Sequence, residues 1–189
     1  MQDTALSGGF ADAPRDAARA FRGLMNAMAR PGSIEMVEGA QPPAPMSVAA
    51  GVLAVTLLDG TTPVHLAGAL DCQPVRDWLT FHTGAPLTSA AECSFAFGQW
   101  DDLLPISQFA IGTSEYPDRS ATLIVETDTL TQTGTTLRGP GIKDTAALTL
   151  PDPIALQNNA MLFPLGLDFY FTAGASLAAL PRSTKLEIA

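Results

Sequence analysis

The sequence predicts an α/β domain, a three-layer sandwich built around a mixed β-sheet. Stretches with helical spacing of apolar residues alternate with stretches typical of strands, and this alternation is loose and without strict repeats. The composition agrees, since 47% of the 189 residues are hydrophobic and only 15% are charged. That is enough apolar material for one core, so we expect a single domain over residues 1–189.

The N-terminal part predicts an arm, a helix and a strand. Residues 1–11 show no periodicity, and we expect them to form an arm that becomes ordered only against the domain surface or a partner. Asp12 is a helix cap, and apolar residues then recur at helical spacing over residues 14–29, until Pro31-Gly32 ends the pattern. Residues 33–37 alternate and predict the first strand.

The next part predicts a buried helix, a strand and an amphipathic helix. Ser47 caps residues 48–58, which have no polar face and must be covered on all sides. Residues 63–67 follow as a strand. Pro74 begins the amphipathic helix, and Gly84 ends it.

The middle of the chain predicts short elements. Residues 93–97 alternate as a strand, and residues 100–108 predict a short helix. The β-branched and apolar residues 121–125 are typical of a strand buried on both faces. Residues 135–138 and 146–150 predict two more strands.

The C-terminal part predicts one helix and two strands. Residues 154–161 favour a helix, which Phe163-Pro164-Leu165-Gly166 terminates. The apolar run 167–171 predicts a buried strand, and residues 180–188 predict the last strand.

Composition argues against several classes of protein. The formal net charge is -9, which opposes binding to nucleic acid. No apolar run reaches the ~20 residues that cross a bilayer, and the N-terminus has no export signal, so we expect a cytoplasmic protein without a membrane partner. Cys72 and Cys93 are expected to be free thiols, and neither they nor His65 and His82 have the spacing of a metal site. His82 is expected to be a packing residue.

No short motif names a reaction. There is no phosphate-binding loop ending in Lys-Ser or Lys-Thr, no dinucleotide fingerprint and no nucleophile elbow. With two histidines and no motif around any serine, a catalytic triad is not supported. We therefore do not expect this chain to catalyse a reaction alone.

Arginine stands beside a tight turn in three places, and these turns are the candidate site. They are Arg30-Pro31-Gly32, Arg138-Gly139-Pro140-Gly141 and Leu180-Pro181-Arg182-Ser183. Guanidinium groups bind phosphate or phosphonate oxygens through paired hydrogen bonds, and exposed backbone N–H groups add to them. The candidate anion-binding residues are Arg30, Arg138, Gly139, Gly141 and Arg182. Alternatively, the glycines only supply positive φ in a tight strand connection, and the arginines are surface or ion-pair residues.

A series of short stretches also carries a family resemblance. They are Phe21-Arg22, Ala27-Met28, Pro31-Gly32, Thr62-Pro63-Val64, Phe81-His82-Thr83, Gly112-Thr113, Pro117, Ala121-Thr122-Leu123-Ile124, Leu137-Arg138-Gly139-Pro140-Gly141-Ile142, Phe163-Pro164-Leu165-Gly166-Leu167-Asp168 and Leu180-Pro181-Arg182-Ser183-Thr184 with Glu187. In order and spacing the series resembles the H-subunit family of the bacterial carbon–phosphorus lyase core complex, over nearly the whole chain.

The resemblance implies a fold similar to the large domain of pyridoxal-phosphate-dependent transferases, without the lysine that holds that cofactor. It implies a role with the G, I and J subunits, and an accessory L subunit, in attaching a phosphonate to the ribose of ATP. The product is a ribose 1-phosphonate 5-triphosphate, and the nucleosidase chemistry belongs to the I subunit.

These observations together predict a cytoplasmic, non-catalytic subunit in organic phosphonate catabolism. It would support a site for an anion, a phosphonate or a nucleoside triphosphate, without a cofactor or a metal. When isolated, an apolar chain of this kind is expected to form a homodimer. Two rival hypotheses remain: a scaffold subunit with no ligand site of its own, and a self-sufficient enzyme of unknown type.

Overall fold

The computed structural model describes residues 7–188. Within that range the α-helices are α1 (Ala13–Ala29), α2 (Val48–Leu57), α3 (Gln73–Thr83) and α4 (Pro153–Ala160). The strands in the same range are β1 (Glu35–Met36), β2 (Val64–Leu66), β3 (Phe95–Gln99), β4 (Thr122–Glu126), β5 (Thr135–Arg138), β6 (Ala146–Leu148), β7 (Asp168–Ala173), β8 (Ser176–Leu180) and β9 (Lys185–Glu187). No helix in residues 7–188 is both long enough and apolar enough to span a membrane.

The main sheet is mixed, as the sequence predicts. Its strand order is β1-β8-β7-β4-β3-β2, in which β2, β3, β4 and β7 are parallel and β8 and β1 are antiparallel to their neighbours. Ile124 in the centre pairs with Phe97 on one side and Tyr170 on the other. The middle residues of β4 are fully buried, which is why this strand is a continuous apolar run rather than an alternating one.

Different layers cover the two faces of the main sheet. Helices α1, α2 and α3 pack on the face that carries Phe97, Ile124 and Tyr170. A small antiparallel sheet, in the order β6-β5-β9, lies with α4 on the opposite face, which carries Phe169 and Phe171. The main sheet therefore lies between a helical layer and a layer that is mostly the small sheet.

Local signals explain where the helices begin and end. The Ser47 hydroxyl accepts a hydrogen bond from the Ala50 N–H at 3.1 Å and so caps α2. Residues 49–54 of α2 are all buried, as expected for a helix without a polar face. Gly84 ends α3 in the left-handed conformation at φ 70°.

The sequence predicts an apolar face of α1 that includes Phe21, Leu24 and Met25, and the structure buries only part of it. Ala20, Leu24 and Ala27 are buried, whereas Phe21 is 47% exposed and Met25 is 54% exposed. The apolar stripe of this helix is therefore wider than the surface that the sheet can cover, and its outer edge is left at the protein surface.

The prediction of one helix over residues 100–108 is wrong. Two short 3₁₀ turns form instead, at Asp101–Leu103 and Ile106–Gln108. Pro105 lies between them, and because it has no backbone N–H it cannot continue the hydrogen bonding of a helix.

The prediction of a single strand over residues 180–188 is also wrong. Residue 180 ends β8, which was not predicted, and β9 begins only at Lys185. β8 returns antiparallel to β7 through a turn at Gly174, and Pro181 then separates it from β9. The small residues of β8 lack the β-branched character by which strands are usually identified.

The predicted arm lies partly outside the described residues, which exclude residues 1–6. The remaining part contacts the domain. The Gly8 carbonyl accepts from the Gln41 N–H at 2.7 Å, and the Ser7 carbonyl accepts from the indole N–H of Trp78 at 3.0 Å. The rings of His82 and Trp78 are tilted by 51° with their centroids 4.9 Å apart, so His82 packs against Trp78 as expected.

Candidate functional site

Arg138 occupies the last position of β5, at the edge of the small sheet. Its Nε donates to the carboxylate of Glu187 at 2.6 Å, and its Nη1 donates to the carbonyl of Asp144 at 3.2 Å. Its Nη2 has no hydrogen-bond partner within residues 7–188. The side chains of Arg138 and Glu187 are each about half exposed, at 51% and 54%, so solvent screens their ion pair. The guanidinium is therefore held in place and still has a free edge.

The loop after Arg138 needs both of its glycines. Gly139 and Gly141 have φ values of 135° and 81°, which L side chains rarely adopt. A Cβ atom at Gly141 would lie 1.9 Å from the carbonyl oxygen of Ala29, at the end of α1. A Cβ atom at Gly139 would lie 3.2 Å from the carbonyl oxygen of Ser183. The loop backbone thus packs directly on two other segments.

Those two segments are the other arginine turns. The end of α1 leads into Arg30-Pro31-Gly32, and Ser183 belongs to the turn that follows β8. The structure therefore brings together three turns that are far apart in the sequence, with the loop 139–141 in the middle. The side chain of Arg30 is exposed, and within residues 7–188 it makes no hydrogen bond or ion pair.

Arg182 differs from the other two arginines because each of its three guanidinium nitrogens donates a hydrogen bond within the fold. It is 12% exposed and forms an ion pair with Asp168, with Nη2 2.5 Å from Oδ2 and Nε also donating to this carboxylate. Its Nη1 donates to the carbonyl of Pro117 at 2.7 Å, and its Nη2 also donates to the hydroxyl of Ser120. Arg182 thus joins the start of β7 to the loop before β4, which is the structural alternative considered above. Its partner Asp168 was not selected from the sequence.

The loop before β4 is held in one conformation. Arg182 bonds this loop at Pro117 and Ser120. The guanidinium of Arg119 lies 4.0 Å from the ring centre of Tyr116. An open polar groove of about 450 Å³ runs beside it, lined in part by Glu92, Cys93 and Arg119. Burial raises the pKa of the Cys93 thiol to about 11, so this cysteine is not an activated nucleophile.

Electrostatics favour an anion at the three turns. Lys185 lies opposite Arg138 in the register of β9 and β5, and Lys143 follows the same loop. Both lysines are exposed and unpaired among the residues that the structure describes. In a chain of net charge -9, this corner carries two arginines and both lysines. Guanidinium and ammonium groups gathered in this way can hold an anion through charge-assisted hydrogen bonds.

The remaining chemistry-bearing residues serve packing. His65 contacts the carbonyl of Thr88 at 3.1 Å and lies edge-on to Phe109. Cys72 and Cys93 are both free, as expected. No group of three or more possible metal ligands occurs among residues 7–188.

Glu126 is a partly buried carboxylate that the sequence analysis missed. It ends β4, where its two oxygens accept from the Ser47 N–H at 2.7 Å and from the Thr172 hydroxyl at 2.8 Å. Burial raises its pKa, and the hydrogen bond from Ser47 opposes that shift. Glu126 thereby ties the start of α2 to the sheet. A single acidic residue after a buried apolar strand is the only sequence signal for it.

The comparisons with known proteins agree with each other. Residues 8–187 match the family described as bacterial phosphonate metabolism protein (PhnH). The chain is also similar to the alpha-D-ribose 1-methylphosphonate 5-triphosphate synthase subunit PhnH of Rhizobium meliloti (strain 1021). The two are 44% identical over 196 residues, which cover 98% of this chain and 98% of the relative. The similarity therefore runs from end to end and includes all three arginine turns.

Proposed function

The chain belongs to the PhnH family of bacterial phosphonate metabolism proteins, and we propose that it is a subunit of an alpha-D-ribose 1-methylphosphonate 5-triphosphate synthase. The end-to-end similarity to a subunit of that synthase carries the proposal. The reaction attaches a phosphonate to the ribose of ATP, with release of the base, in organic phosphonate catabolism. Both reactants are anions, and the cations at the three turns could bind such groups.

The chain's own contribution is to hold an anionic group rather than to perform the chemistry. Arg138 offers its free Nη2 edge, and Arg30 offers an unpaired guanidinium on the neighbouring turn. Gly139 and Gly141 keep side chains away from the backbone between them. A phosphonate or triphosphate oxygen would receive charge-assisted hydrogen bonds there. Arg182 supports the neighbouring turn, since it is largely buried and paired with Asp168.

The expected partners are the other subunits of the complex. The family resemblance names the G, I and J core subunits and the accessory L subunit, and it assigns the nucleosidase chemistry to the I subunit. A cytoplasmic location suits ATP as a reactant. In this assembly the present chain supplies part of an anion site.

We also infer that the fold is related to the large domain of pyridoxal-phosphate-dependent transferases without retaining the cofactor. Both lysines of the chain, Lys143 and Lys185, are exposed, whereas an aldimine lysine lies in a shaped pocket. Mixing the chain with pyridoxal phosphate and reducing with borohydride should give no stoichiometric adduct. A stable adduct on either lysine would overturn this inference.

Reconstitution tests the proposed function. The G, I and L subunits, mixed with ATP and methylphosphonate, should form ribose 1-methylphosphonate 5-triphosphate only when this chain is added. Product formation at the same rate without the chain would refute the proposal. Turnover by the purified chain alone would instead identify a self-sufficient enzyme.

A further inference from the structure

The outer side of α4 and the turn that follows it form an apolar patch on the protein surface. Its large side chains are Ile154 (63% exposed), Met161 (72%), Leu162 (47%) and Phe163 (60%). Leu104 (43%) is also included, because it is two residues before Ile106, which lines a neighbouring groove. Single exposed apolar residues are ordinary, but four within ten consecutive positions mark an interaction surface. We refer to these five residues as the α4 patch.

A groove of about 330 Å³ adjoins the patch and is also largely apolar. Its walls include Ile106, Ile111, Ala155, Leu162 and Leu167. Because Leu162 belongs to both the patch and the groove, the two form one continuous surface. The groove is large enough to receive an apolar side chain of a partner.

The turn that displays the patch is already folded. The amide of Asn159 bonds both the carbonyl and the N–H of Leu167, at 2.9 Å and 2.8 Å. The Leu165 N–H donates to the Leu162 carbonyl at 2.9 Å, and the Gly166 N–H donates to the Ile111 carbonyl at 3.0 Å. A partner would therefore meet a preformed surface, at a small cost in conformational entropy.

The charges in these segments are of one sign. No lysine or arginine occurs in residues 77–118 or 144–181, the two segments that build the patch and the groove. Asp101, Asp102 and Asp152 lie in the same segments. Two copies that met through this surface around a twofold axis would bring these carboxylates together. A partner with lysine or arginine beside its apolar contacts would complement them.

We propose that the α4 patch docks another subunit of the synthase, through an apolar segment of that subunit flanked by lysine or arginine. The apolar side chains would supply the buried contact, and Asp101, Asp102 and Asp152 in the same segments would disfavour a second copy of this chain. This inference rests on the proposed function, since it takes the partner from the same complex. It assigns the α4 patch to assembly and leaves the three arginine turns for the anion.

The test is co-purification of a tagged chain with the coexpressed G, I and J subunits. Phe163→Arg adds a positive charge at the patch, where it would face the basic segment of the partner. Phe81→Arg on α3 is the matched control, because Phe81 is 57% exposed and Phe163 is 60% exposed. We expect Phe163→Arg to reduce the captured partner subunits at least tenfold and Phe81→Arg to leave them unchanged. Ile154→Arg, on α4 itself, should reproduce the loss, and unchanged melting temperatures would show that both variants fold.

The outcomes separate this inference from the proposed function. If the unmodified chain captures no other subunit, the proposed function fails, and the docking site fails with it. If the unmodified chain, Phe163→Arg and Ile154→Arg all capture the subunits equally, only the docking site is wrong. If Phe163→Arg instead turns a dimer of the isolated chain into a monomer, the patch binds a second copy and the inference is overturned.

Discussion

At the scale of single residues, burial determines whether an arginine is available to a ligand, as Arg138 and Arg182 show. Both stand beside glycine or proline in the sequence, and both have an acidic partner in the structure. Arg182 is shielded from water and uses all of its nitrogen atoms within the fold, whereas Arg138 is half exposed and keeps one edge free. Equal sequence contexts therefore lead to different roles, one structural and one available to a ligand.

Arg138→Gln should impair phosphonate use without unfolding the protein. The exposed pair with Glu187 contributes at most about 1 kcal/mol to the free energy of unfolding. Loss of one charge-assisted hydrogen bond to an anion, worth about 1.5–3 kcal/mol, should lower phosphonate turnover of the reconstituted complex at least ~10-fold. Urea unfolding measures the free energy of unfolding. Phosphonate turnover is measured in a complex reconstituted with the Arg138→Gln chain in place of the native chain.

Arg76→Gln is the matched control for this change. Arg76 also forms a half-exposed pair, 2.5 Å from Asp71, but it lies on α3. It should leave phosphonate turnover unchanged. Unchanged turnover in Arg138→Gln as well, or a loss explained by a lower melting temperature, would make Arg138 a structural residue.

Arg182→Gln should destabilise the fold, because it leaves the carboxylate of Asp168 without its partner in a largely buried position. We expect a loss of about 3 kcal/mol in the free energy of unfolding. Arg182→Lys should recover little of this, since an ammonium group cannot match the planar contacts to Asp168, Pro117 and Ser120. Equal stability of the native chain and Arg182→Gln in urea would contradict this role.

Glu126 should give the protein a pH-dependent component of stability. In the unfolded chain this carboxyl group loses its proton near its ordinary pKa of 4.5, whereas burial raises the pKa in the folded chain. Between those two values the folded chain binds more protons, so stability falls as pH rises and then stays level above the folded pKa. Glu126→Gln should remove this component.

Urea unfolding between about pH 4 and pH 8 would measure the effect. The stability of Glu126→Gln relative to the native chain should rise with pH through that window. Glu92→Gln, a change at an exposed carboxylate, serves as the control. A constant difference between the native chain and Glu126→Gln at every pH would refute the assignment.

At the scale of elements, the loop between β5 and β6 joins the three arginine turns only because it contains glycine. Gly141→Ala would force a Cβ atom to within 1.9 Å of the Ala29 carbonyl and strain a φ of 81°. We expect a loss of roughly 3 kcal/mol or more in the free energy of unfolding, together with a loss of phosphonate turnover. Thermal and urea unfolding would measure the first effect.

Gly174→Ala separates backbone strain from the steric clash. Gly174 has a φ of 58° and no atom within 4 Å of a built Cβ, so this change should cost only about 1 kcal/mol, from the left-handed backbone. Similar costs for the two variants would mean that the loop does not press against the end of α1.

Several elements could be predicted from sequence because their signals are local. Ser47 and the wholly apolar run behind it define α2, and Gly84 defines the end of α3. The two 3₁₀ turns around Pro105 and the strand β8 were not predicted correctly. The break between the two turns has a local cause, the missing N–H of Pro105, whereas β8 forms through its pairing with β7 and β1 despite weak local preference for a strand.

At the scale of the whole molecule, the isolated chain is predicted to form a homodimer. The surface that suits this is the outer side of α1 with β1, where Phe21, Met25 and Met36 are exposed. Charges of both signs lie beside it, including Arg19 and Glu38, which are 3.9 Å apart. Two copies could therefore pair opposite charges across a twofold axis.

Sedimentation at micromolar concentrations would measure the oligomeric state. The native chain should sediment as a dimer, and Met25→Arg should sediment as a monomer with an unchanged melting temperature. Phe163→Arg, on the α4 patch, should remain a dimer. A native chain that is monomeric throughout would contradict the prediction.

The sequence alone determined the mixed α/β class, most of the helices and strands, the family and three arginine turns. These properties depend on local patterns and on the order of short motifs, which can be read along one chain. Only the tertiary structure placed the turns side by side, paired Arg182 with Asp168, partly buried Glu126 and left the α4 patch exposed. The physical reason is that burial and pairing depend on residues far apart in the chain. An arginine, a glutamate or a phenylalanine takes its role from the neighbours that the fold supplies.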